Sequence, residues 1–340
     1  MSYRYLGNKT RLAGWITDVI SSRLAGGATI ADPMCGTASV SRALADGGFT
    51  VHAADELLFP TLHARARLLY VGGLSFAPIA ASYADALAHL NSLPGVPGFF
   101  HREYGADGRP DNGTKPRLYF TGANAARIDA IQARLHAWES EGLSRQAVDL
   151  LRHDLVLACN RVANIAGTYG YFRATFSAAS LAPLRLVETD PAPADPGHRV
   201  RRGRLESIAQ EIDADACYLD PPYTKRQYAG NYHIPETLAR GDEPEPVGMG
   251  GLRDWKPEYS AFCSKRMVRD ALHESLKRLE VPLIFMSYSS DGLVPRDELR
   301  DLLEEHGRVT LDDLPLARYR SNGRVSPGDV VETLYTIDKG

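Results

Sequence analysis

Residues 29–56 read TIADPMCGTASVSRALADGGFTVHAADE. The apolar run Thr29–Ala31 predicts a strand, residues 37–46 predict a helix that closes at two glycines, and Phe49–Ala54 predicts a second strand. An acidic residue follows each of the two strands. A strand, helix and strand in this order favour a parallel sheet with helices on its faces, in which ligands bind beyond the carboxyl ends of the strands.

The same alternation returns in the last third of the chain. The predicted elements are a strand over 216–219, a helix over 264–280, a strand over 282–288, a helix over 296–306 and strands over 308–314 and 330–337. We therefore expect an α/β fold with a doubly wound, Rossmann-like sheet. The sheet should be mostly parallel, with an antiparallel pair formed by the last two strands.

The middle of the chain lacks this regular pattern. Residues 91–200 hold several Pro- and Gly-rich stretches, which indicates an inserted, mainly helical region between two halves of the sheet. The catalytic domain would then comprise residues 1–90 and 201–340. Within it, residues 224–260 are polar and rich in Gly and Glu-Pro, so we expect a lid-like loop there.

Composition excludes several classes of protein. The 340 residues are 44% hydrophobic and 24% charged, and no apolar run approaches the roughly 18 residues of a membrane span. The net charge of -3 disfavours indiscriminate nucleic-acid binding. The four cysteines are far apart, which indicates neither a disulfide framework nor a zinc site. We expect a cytoplasmic protein without a metal.

Three acidic residues are predicted at strand ends, namely Asp32, Asp55 and Asp220. In a parallel sheet they would face one crevice, where Gly36 lets the first turn approach a ligand closely and Asp55 suits a ribose diol. Taken alone, Asp32 could equally be a residue that only ends a strand, and Asp55 could equally be one that only caps the next helix. The absence of Gly-x-Gly-x-x-Gly disfavours a dinucleotide and favours S-adenosylmethionine, a nucleoside cofactor without phosphate.

The sharpest signal is Asp220-Pro221-Pro222-Tyr223, directly after the strand over 216–219. An aryl amine is a poor nucleophile because its lone pair is delocalised into the ring. The Asp220 carboxylate and the Pro221 carbonyl could accept hydrogen bonds from its two N–H groups and aim that lone pair at a methyl group. Pro222 stiffens the turn, and Tyr223 offers a face on which a planar base can stack.

A Gly-containing turn, Tyr5-Leu6-Gly7-Asn8-Lys9, precedes the first predicted helix. Its aromatic ring and its cation could bracket a sulfonium-bearing amino acid, with Tyr5 against the sulfur and Lys9 toward the carboxylate. Gly7 would supply the bend. A plain helix-entry loop is the alternative interpretation.

Taken in order, these motifs resemble the D12-class, Dam-like DNA adenine-N6 methyltransferases. The segments Arg226–His233 and Glu236-Thr237 are similar to the restriction-modification members of that family. The resemblance implies that Tyr5, Lys9, Asp55 and Asp220 touch S-adenosylmethionine and that Asp220 to Tyr223 form the catalytic motif. The family also has an acidic residue near the cofactor adenine. Gly203-Arg204 stands where that residue is expected, which leaves Asp85 or no residue for the contact.

The resemblance implies methylation of adenine N6 in a specific double-stranded DNA sequence, with the target base flipped out. A monomer is expected, with a restriction endonuclease acting on the same site without a stable complex. Basic and polar side chains near the predicted pocket are candidates for DNA contacts, although such clusters are often only solvated. They are Lys225, Arg226, Arg201, Arg202, Arg320 and Asn322.

Other activities use similar features. N4 of cytosine is the same kind of nitrogen, so a cytosine-N4 DNA methyltransferase is the alternative enzyme, and RNA is a more distant substrate. A non-catalytic DNA-binding subunit with this fold is the alternative from another class. The intact motif from Asp220 to Tyr223 disfavours that subunit, because a protein without catalysis has no physical need for this carboxylate and two prolines.

Overall fold

The computed structural model of the chain describes residues 3–194, 197–316 and 330–340. Within them the strands are β1 Thr29–Asp32, β2 Thr50–Asp55, β3 Arg199–Arg202, β4 Ala216–Leu219, β5 Leu283–Ser289, β6 Arg308–Leu316 and β7 Val330–Asp338. The helices are α1 Ala13–Ser21, α2 Ser39–Asp46, α3 Leu58–Leu68, α4 Tyr83–Ser92, α5 Phe99–Tyr104, α6 Gly122–Ser140, α7 Arg145–Val162, α8 Ala178–Leu181, α9 Leu205–Ile208, α10 Tyr228–Asn231, α11 His233–Arg240, α12 Val268–Arg278 and α13 Arg296–Glu304.

The described strands form one sheet in the order β3-β2-β1-β4-β5-β7-β6. The first five run parallel, whereas β7 is antiparallel to both β5 and β6. This confirms the predicted mostly parallel Rossmann-like sheet with its antiparallel terminal pair. From β1 the chain builds the sheet in one direction through β2 and in the other through β4, so the ligand crevice is expected at the carboxyl end of β1.

The chain divides into two compact units. The sheet unit comprises the described residues of 9–56, 197–227 and 260–340, and all seven strands belong to it. Its central strands are apolar enough to be buried on both faces; every residue of β4, for example, is buried. The helix α12 covers the sheet with Val268, Leu272 and Leu276, whose spacing of four residues places them on one side.

The helical unit comprises the described residues of 1–8, 57–194 and 228–259. Its longest helices are α6 and α7, which begin at the capping side chains of Thr121 and Ser144. The boundary predicted at residue 90 therefore differs from the one in the structure, which lies at residue 57. The physical reason is that α3 packs on α7 and α11 of this unit, and a helix's apolar stripe does not reveal which partner buries it.

The irregular loop predicted over residues 224–260 is wrong for its first half. That half contains α10 and α11, and the side chains of His233, Glu236 and Thr237 on α11 are buried. The polar composition suggested exposure, but these polar groups are hydrogen-bonded inside the helical unit: Glu236 accepts from the backbone N–H of Leu58 at 2.8 Å, and His233 bonds the Tyr169 carbonyl at 2.9 Å.

All four cysteines are buried free thiols. In the described part of the chain, no helix combines the length and the apolar character that crossing a membrane requires.

Candidate active site

Three carboxylates lie at neighbouring strand ends of the sheet unit, as predicted. Asp32 is the last residue of β1, Asp55 is the last residue of β2, and Asp220 directly follows β4. Both β2 and β4 pair with β1 in parallel, so the three residues leave the sheet at the same edge. Burial is the main cause of the raised pKa of Asp32, and the charges of Asp220 and Asp55 at this edge raise it further.

Asp32 is the most buried of these three carboxylates, with an exposure of 1%. The Ser41 hydroxyl of α2 donates to its Oδ2 at 2.5 Å, whereas no described residue hydrogen-bonds its Oδ1. Burial raises the pKa of Asp32 to about 7, helped by the charges of Asp220 and Asp55 and opposed by the Ser41 hydrogen bond. A buried acceptor without a partner is costly, so this oxygen is available to a donor on a ligand.

The turn after β1 holds Asp55 against the backbone. Gly36 has a φ of 50° and its N–H donates to Asp55 Oδ2 at 3.1 Å, while the Cys35 N–H donates to the Ala54 carbonyl at 3.0 Å. Ala38 then takes a φ of 53° directly before α2 begins. These two left-handed positions, separated by one residue, make a sharp turn. Because Gly36 carries no Cβ, a ligand can approach the turn closely there.

Lys9 connects two carboxylates in the interior of the sheet unit. Its Nζ lies 2.8 Å from Asp220 Oδ1 and 3.2 Å from Glu332 Oε1, and Lys9 is 5% exposed. Glu332 lies on β7 and also accepts from the Ser287 hydroxyl of β5 at 2.6 Å. Burial alone would lower the pKa of Lys9, but the two carboxylates outweigh it and raise that pKa. Lys9 is therefore a cation.

Asp220 keeps one oxygen for other partners. Lys9 contacts Oδ1, no described residue donates to Oδ2, and 18% of the side chain is exposed. Burial raises the pKa of Asp220 to about 6, because desolvation and the Glu332 charge outweigh the attraction of Lys9. Above that pH the carboxylate is ionised and accepts hydrogen bonds only.

The rest of the predicted motif forms a rigid rim around Asp220. No described residue donates to the Pro221 carbonyl, and Pro221 is itself buried. The Tyr223 carbonyl accepts from the Leu293 N–H at 3.1 Å, and its ring lies 6.1 Å from that of Tyr288 in an edge-on arrangement. Lys9 Nζ is 5.1 Å from the Tyr223 ring centre, which is cation–π distance.

Two of the predicted cofactor residues belong to the helical unit. Tyr5 stacks on Tyr232 with 4.7 Å between ring centres, and the Leu6 N–H donates to the Tyr232 hydroxyl at 2.6 Å. Gly7 takes a φ of 69° between them and Lys9. The interpretation as a Gly-containing turn is therefore confirmed, whereas the contact of Tyr5, Gly7 and Lys9 with a cofactor stays a prediction.

Asp85 has a local role in the helical unit. It is exposed in the first turn of α4, where its N–H and its carboxylate both bond the Ser82 hydroxyl. This is a helix N-cap, which accounts for an acidic residue at that position without a ligand.

The candidate DNA contacts fall into three groups. Arg201 and Arg202 lie on β3, a strand that the basic composition concealed; Arg201 pairs with Glu211 at 2.6 Å, and Arg202 donates to the Glu56 carbonyl at 2.8 Å. The side chains of Lys225 and Arg226 are exposed just after Tyr223. Arg320 and Asn322 lie outside the described residues. All six contacts stay predictions.

The sequence interpretation missed Glu332 as a site residue. The available signal was the carboxylate of Glu332 inside the mostly apolar strand Val330–Asp338, since an ionisable residue at a buried strand position requires a partner. Only the three-dimensional structure shows that this partner is Lys9.

Comparison with known proteins agrees with this geometry. Residues 5–58 and 147–302 match the family "D12 class N6 adenine-specific DNA methyltransferase". The chain is 32% identical over 227 residues to Type II methyltransferase M.FokI of Planomicrobium okeanokoites, covering 66% of this chain and 35% of the relative. It is 30% identical over 339 residues to modification methylase LlaI of Lactococcus lactis subsp. lactis, covering 96% and 53%.

A third relative is matched over nearly its whole length. Type II methyltransferase M.NlaIII of Neisseria lactamica is 27% identical over 344 residues, which covers 98% of this chain and 99% of the relative. The chain thus spans 35% and 53% of the first two relatives and nearly all of the third. The family match includes the turn at Gly36, the motif at Asp220 and α11. The chain belongs to the D12 class of N6 adenine-specific DNA methyltransferases.

Proposed function

We propose that this chain transfers a methyl group from S-adenosylmethionine to N6 of adenine in a specific double-stranded DNA sequence. The observation that carries the proposal is the state of Asp220. Lys9 holds one of its oxygens at 2.8 Å, and neither the other oxygen nor the carbonyl of the next residue, Pro221, has a donor among the described residues. Two unoccupied acceptors on a rigid turn suit the two N–H bonds of an exocyclic amine.

The residues at the carboxyl ends of β1 and β2 fit S-adenosylmethionine. The partnerless Oδ1 of buried Asp32 is an acceptor for an ammonium or amide donor, and the carboxylate of Asp55 suits ribose hydroxyls. Gly36 removes the side chain that would otherwise fill the turn. No phosphate-binding loop is needed for this cofactor. When bound, S-adenosylmethionine supplies a methyl group on a positively charged sulfur.

Asp220 and Pro221 prepare the amine for attack. When these two oxygens accept hydrogen bonds from both N–H groups, they draw the nitrogen away from conjugation with the ring and point its lone pair in one direction. The reaction leaves a positive charge on nitrogen, which the Asp220 carboxylate stabilises before the amine loses a proton. Both roles require Asp220 to be ionised, so Lys9 promotes them by lowering the pKa that burial raises.

Tyr223 would hold the base in the orientation that this chemistry needs. Its ring is fixed between the Lys9 ammonium and the Tyr288 ring, so it offers a preorganised face for stacking. A base within a duplex cannot reach such a face, so we propose that the target nucleotide is flipped out. Exposed Lys225 and Arg226 follow Tyr223 directly and would contact phosphates on the way.

The remaining parts of the proposal concern partners. The helical unit would select the DNA sequence, because its helices α4 to α8 are inserted between β2 and β3 of the sheet unit. The chain would act as a monomer, beside a restriction endonuclease that recognises the same site. These assignments are supported by the family and by the names of the relatives, which are modification enzymes.

Mapping of modified bases tests the proposed activity. The wild type and Asp220→Ala would be expressed in a host that lacks its own DNA methylation, and the genomic DNA would be sequenced by a method that distinguishes N6-methyladenine from N4-methylcytosine. We expect N6-methyladenine at one short sequence with the wild type only. Detection of N4-methylcytosine instead would show that the substrate is cytosine. Unmodified DNA in the cells that express the wild type would contradict the proposal.

A further inference from the structure

We propose that Glu332 is a positioning residue, which holds the ammonium of Lys9 on Asp220 Oδ1 so that Asp220 Oδ2 stays available to the amine of the substrate. This inference rests on the proposed function. It assigns a role to a carboxylate on the antiparallel part of the sheet, at a distance in sequence from the motif that contacts the base.

The geometry places the buried Lys9 ammonium within reach of two carboxylates, the half-buried Asp220 and the buried Glu332. Lys9 Nζ stands between Asp220 Oδ1 at 2.8 Å and Glu332 Oε1 at 3.2 Å. Lys9 is 5% exposed and Glu332 is 3% exposed, so neither charge is shared with bulk water. The cation has few alternatives in such a place, because each buried charge needs an opposite charge within reach.

The orientation of Glu332 is itself fixed. The Ser287 hydroxyl donates to Glu332 Oε1 at 2.6 Å, so the oxygen that faces Lys9 is also anchored to β5. β5 and β7 pair along their whole length, and Glu332 lies opposite Ser289 in that register. Two strands of the sheet thus determine where Oε1 stands, and through it where the Lys9 ammonium stands.

A second carboxylate changes what Lys9 can do. With Asp220 alone, the flexible Lys9 side chain could move its ammonium between Oδ1 and Oδ2 and occupy the oxygen that the substrate needs. Glu332 draws the ammonium to the Oδ1 side. A buried carboxylate within a strand lowers stability compared with an apolar residue, so the position is explained better by this positioning than by folding.

The same arrangement sets the charge on Asp220. The titratable groups that face Asp220 are the ammonium of Lys9, the carboxylates of Glu332 and Asp32, and the phenols of Tyr223 and Tyr218. Lys9 lowers the pKa of Asp220 and Glu332 raises it. Removing the two neighbours must therefore move the pKa of Asp220 in opposite directions, whereas only the loss of positioning lowers the rate at a pH at which Asp220 is ionised in every variant.

Single-turnover methylation rates at pH 5 to 9 test the inference with the wild type, Glu332→Gln and Lys9→Met. In Glu332→Gln we expect the rate at pH 8 to fall about 10-fold, the effect of roughly one lost hydrogen-bonded ion pair. The acid limb of its profile should move to lower pH. In Lys9→Met the acid limb should move to higher pH. Glu298→Gln, an exposed carboxylate on α13, is the matched control and should follow the wild type.

A titration of the Asp carboxyl carbons by NMR gives a readout that does not depend on activity. The signal of Asp220 is identified by its loss in Asp220→Asn, and its pKa should be lower in Glu332→Gln than in the wild type. If Glu332→Gln does not fold, Glu332→Asp serves instead, because it keeps the charge and only withdraws it from Lys9; its rate should fall at pH 8 as well.

The outcomes separate this inference from the proposed function. An inactive wild type contradicts the proposed function, whereas the NMR titration still shows whether the charge of Glu332 acts on Asp220. An active wild type whose rate at pH 8 is unchanged in Glu332→Gln overturns the positioning role, even if the pKa of Asp220 has moved.

Discussion

The ammonium of Lys9 lies 2.8 Å from the carboxylate of Asp220, although 211 residues separate them in the chain. Lys9 comes just before the first helix, and Asp220 directly follows the short strand β4. The segment at the start of the chain thereby completes the charge balance of the catalytic motif. The ionisation of Asp220, the residue that we propose contacts the amine, therefore depends on an element far away in the sequence.

Replacing Lys9 by methionine should lower stability in a pH-dependent way. The variant leaves Asp220 and Glu332 as buried carboxylates without a cation, which should lower the free energy of unfolding by about 3 kcal/mol at pH 8. The pKa of Asp220 is already raised from 3.8 in the folded state and rises further without Lys9, so protonation at pH 5 should relieve part of the loss.

Urea unfolding at pH 8 and pH 5 measures this effect. Lys277→Met, which removes an exposed lysine on α12, is the control and should change stability little at either pH. Equal losses for Lys9→Met at both pH values would show that the buried carboxylates are not the cause.

Asp32→Asn should stabilise the protein at pH 8 while it weakens cofactor binding. The pKa of Asp32 is about 7 in the folded protein and 3.8 for an ordinary carboxyl, so the folded state binds a proton more tightly. The wild type must therefore lose stability as pH rises from about 4 to 7. An amide at this position keeps an acceptor for the Ser41 hydroxyl and carries no charge.

The gain should be on the order of 2 to 4 kcal/mol at pH 8 and should vanish near pH 4, as measured by urea unfolding. Calorimetric titration with S-adenosylmethionine should show at least 10-fold weaker binding, because the donor that meets Asp32 Oδ1 loses a charged partner. Unchanged affinity would remove Asp32 from the proposed cofactor site.

Gly36→Ala should reduce cofactor affinity more than stability. Its φ of 50° makes any side chain unfavourable by about 1 kcal/mol, and a Cβ would stand where the ligand approaches the turn. Gly27→Ala is a matched control, since Gly27 has a φ of 82° and open space around its Cβ position. Both variants should unfold slightly earlier, and only Gly36→Ala should lose S-adenosylmethionine binding. Equal binding by the two variants would argue against the turn as part of the site.

Glu236→Gln should destabilise the helical unit. The Glu236 carboxylate accepts from the backbone N–H groups of Leu58 and Phe59 at 2.8 and 3.0 Å and pairs with Arg240 at 2.8 Å. An amide can satisfy only part of this set, so the free energy of unfolding should fall by about 2 kcal/mol. Glu243→Gln, at an exposed position after α11, should have no measurable effect. A loss below about 0.5 kcal/mol for Glu236→Gln would show that α3 does not depend on this cap.

The parts of the fold that could be predicted from sequence are those determined by local periodicity. The strands β1, β2 and β4 and their acidic ends follow from apolar runs that stop at Asp or at Asp-Pro, and the terminal strand pair follows from alternation. The motif at Asp220 could be recognised because its four residues are contiguous. Each of these signals lies within about ten residues.

The parts that were missed depend on distant partners. The strand β3 consists mainly of arginines, and it is a strand because β2 pairs with it at the edge of the sheet. The buried face of α11 includes Glu236, whose partner Leu58 is 178 residues away. The role of Glu332 depends on Lys9. In each case polar or charged residues are held by tertiary contacts that a pattern in one segment cannot show.

Methyl transfer by purified protein is the most direct test of the central claim that Asp220 activates an exocyclic amine. Labelled S-adenosylmethionine and duplex DNA of mixed sequence are incubated with the wild type, Asp220→Asn and Asp220→Ala, and the modified nucleoside is identified after digestion. We expect labelled N6-methyladenine from the wild type, and single-turnover rates at least 100-fold lower from both variants, about 3 kcal/mol of transition-state stabilisation. Wild-type rates in Asp220→Asn and Asp220→Ala would contradict the account.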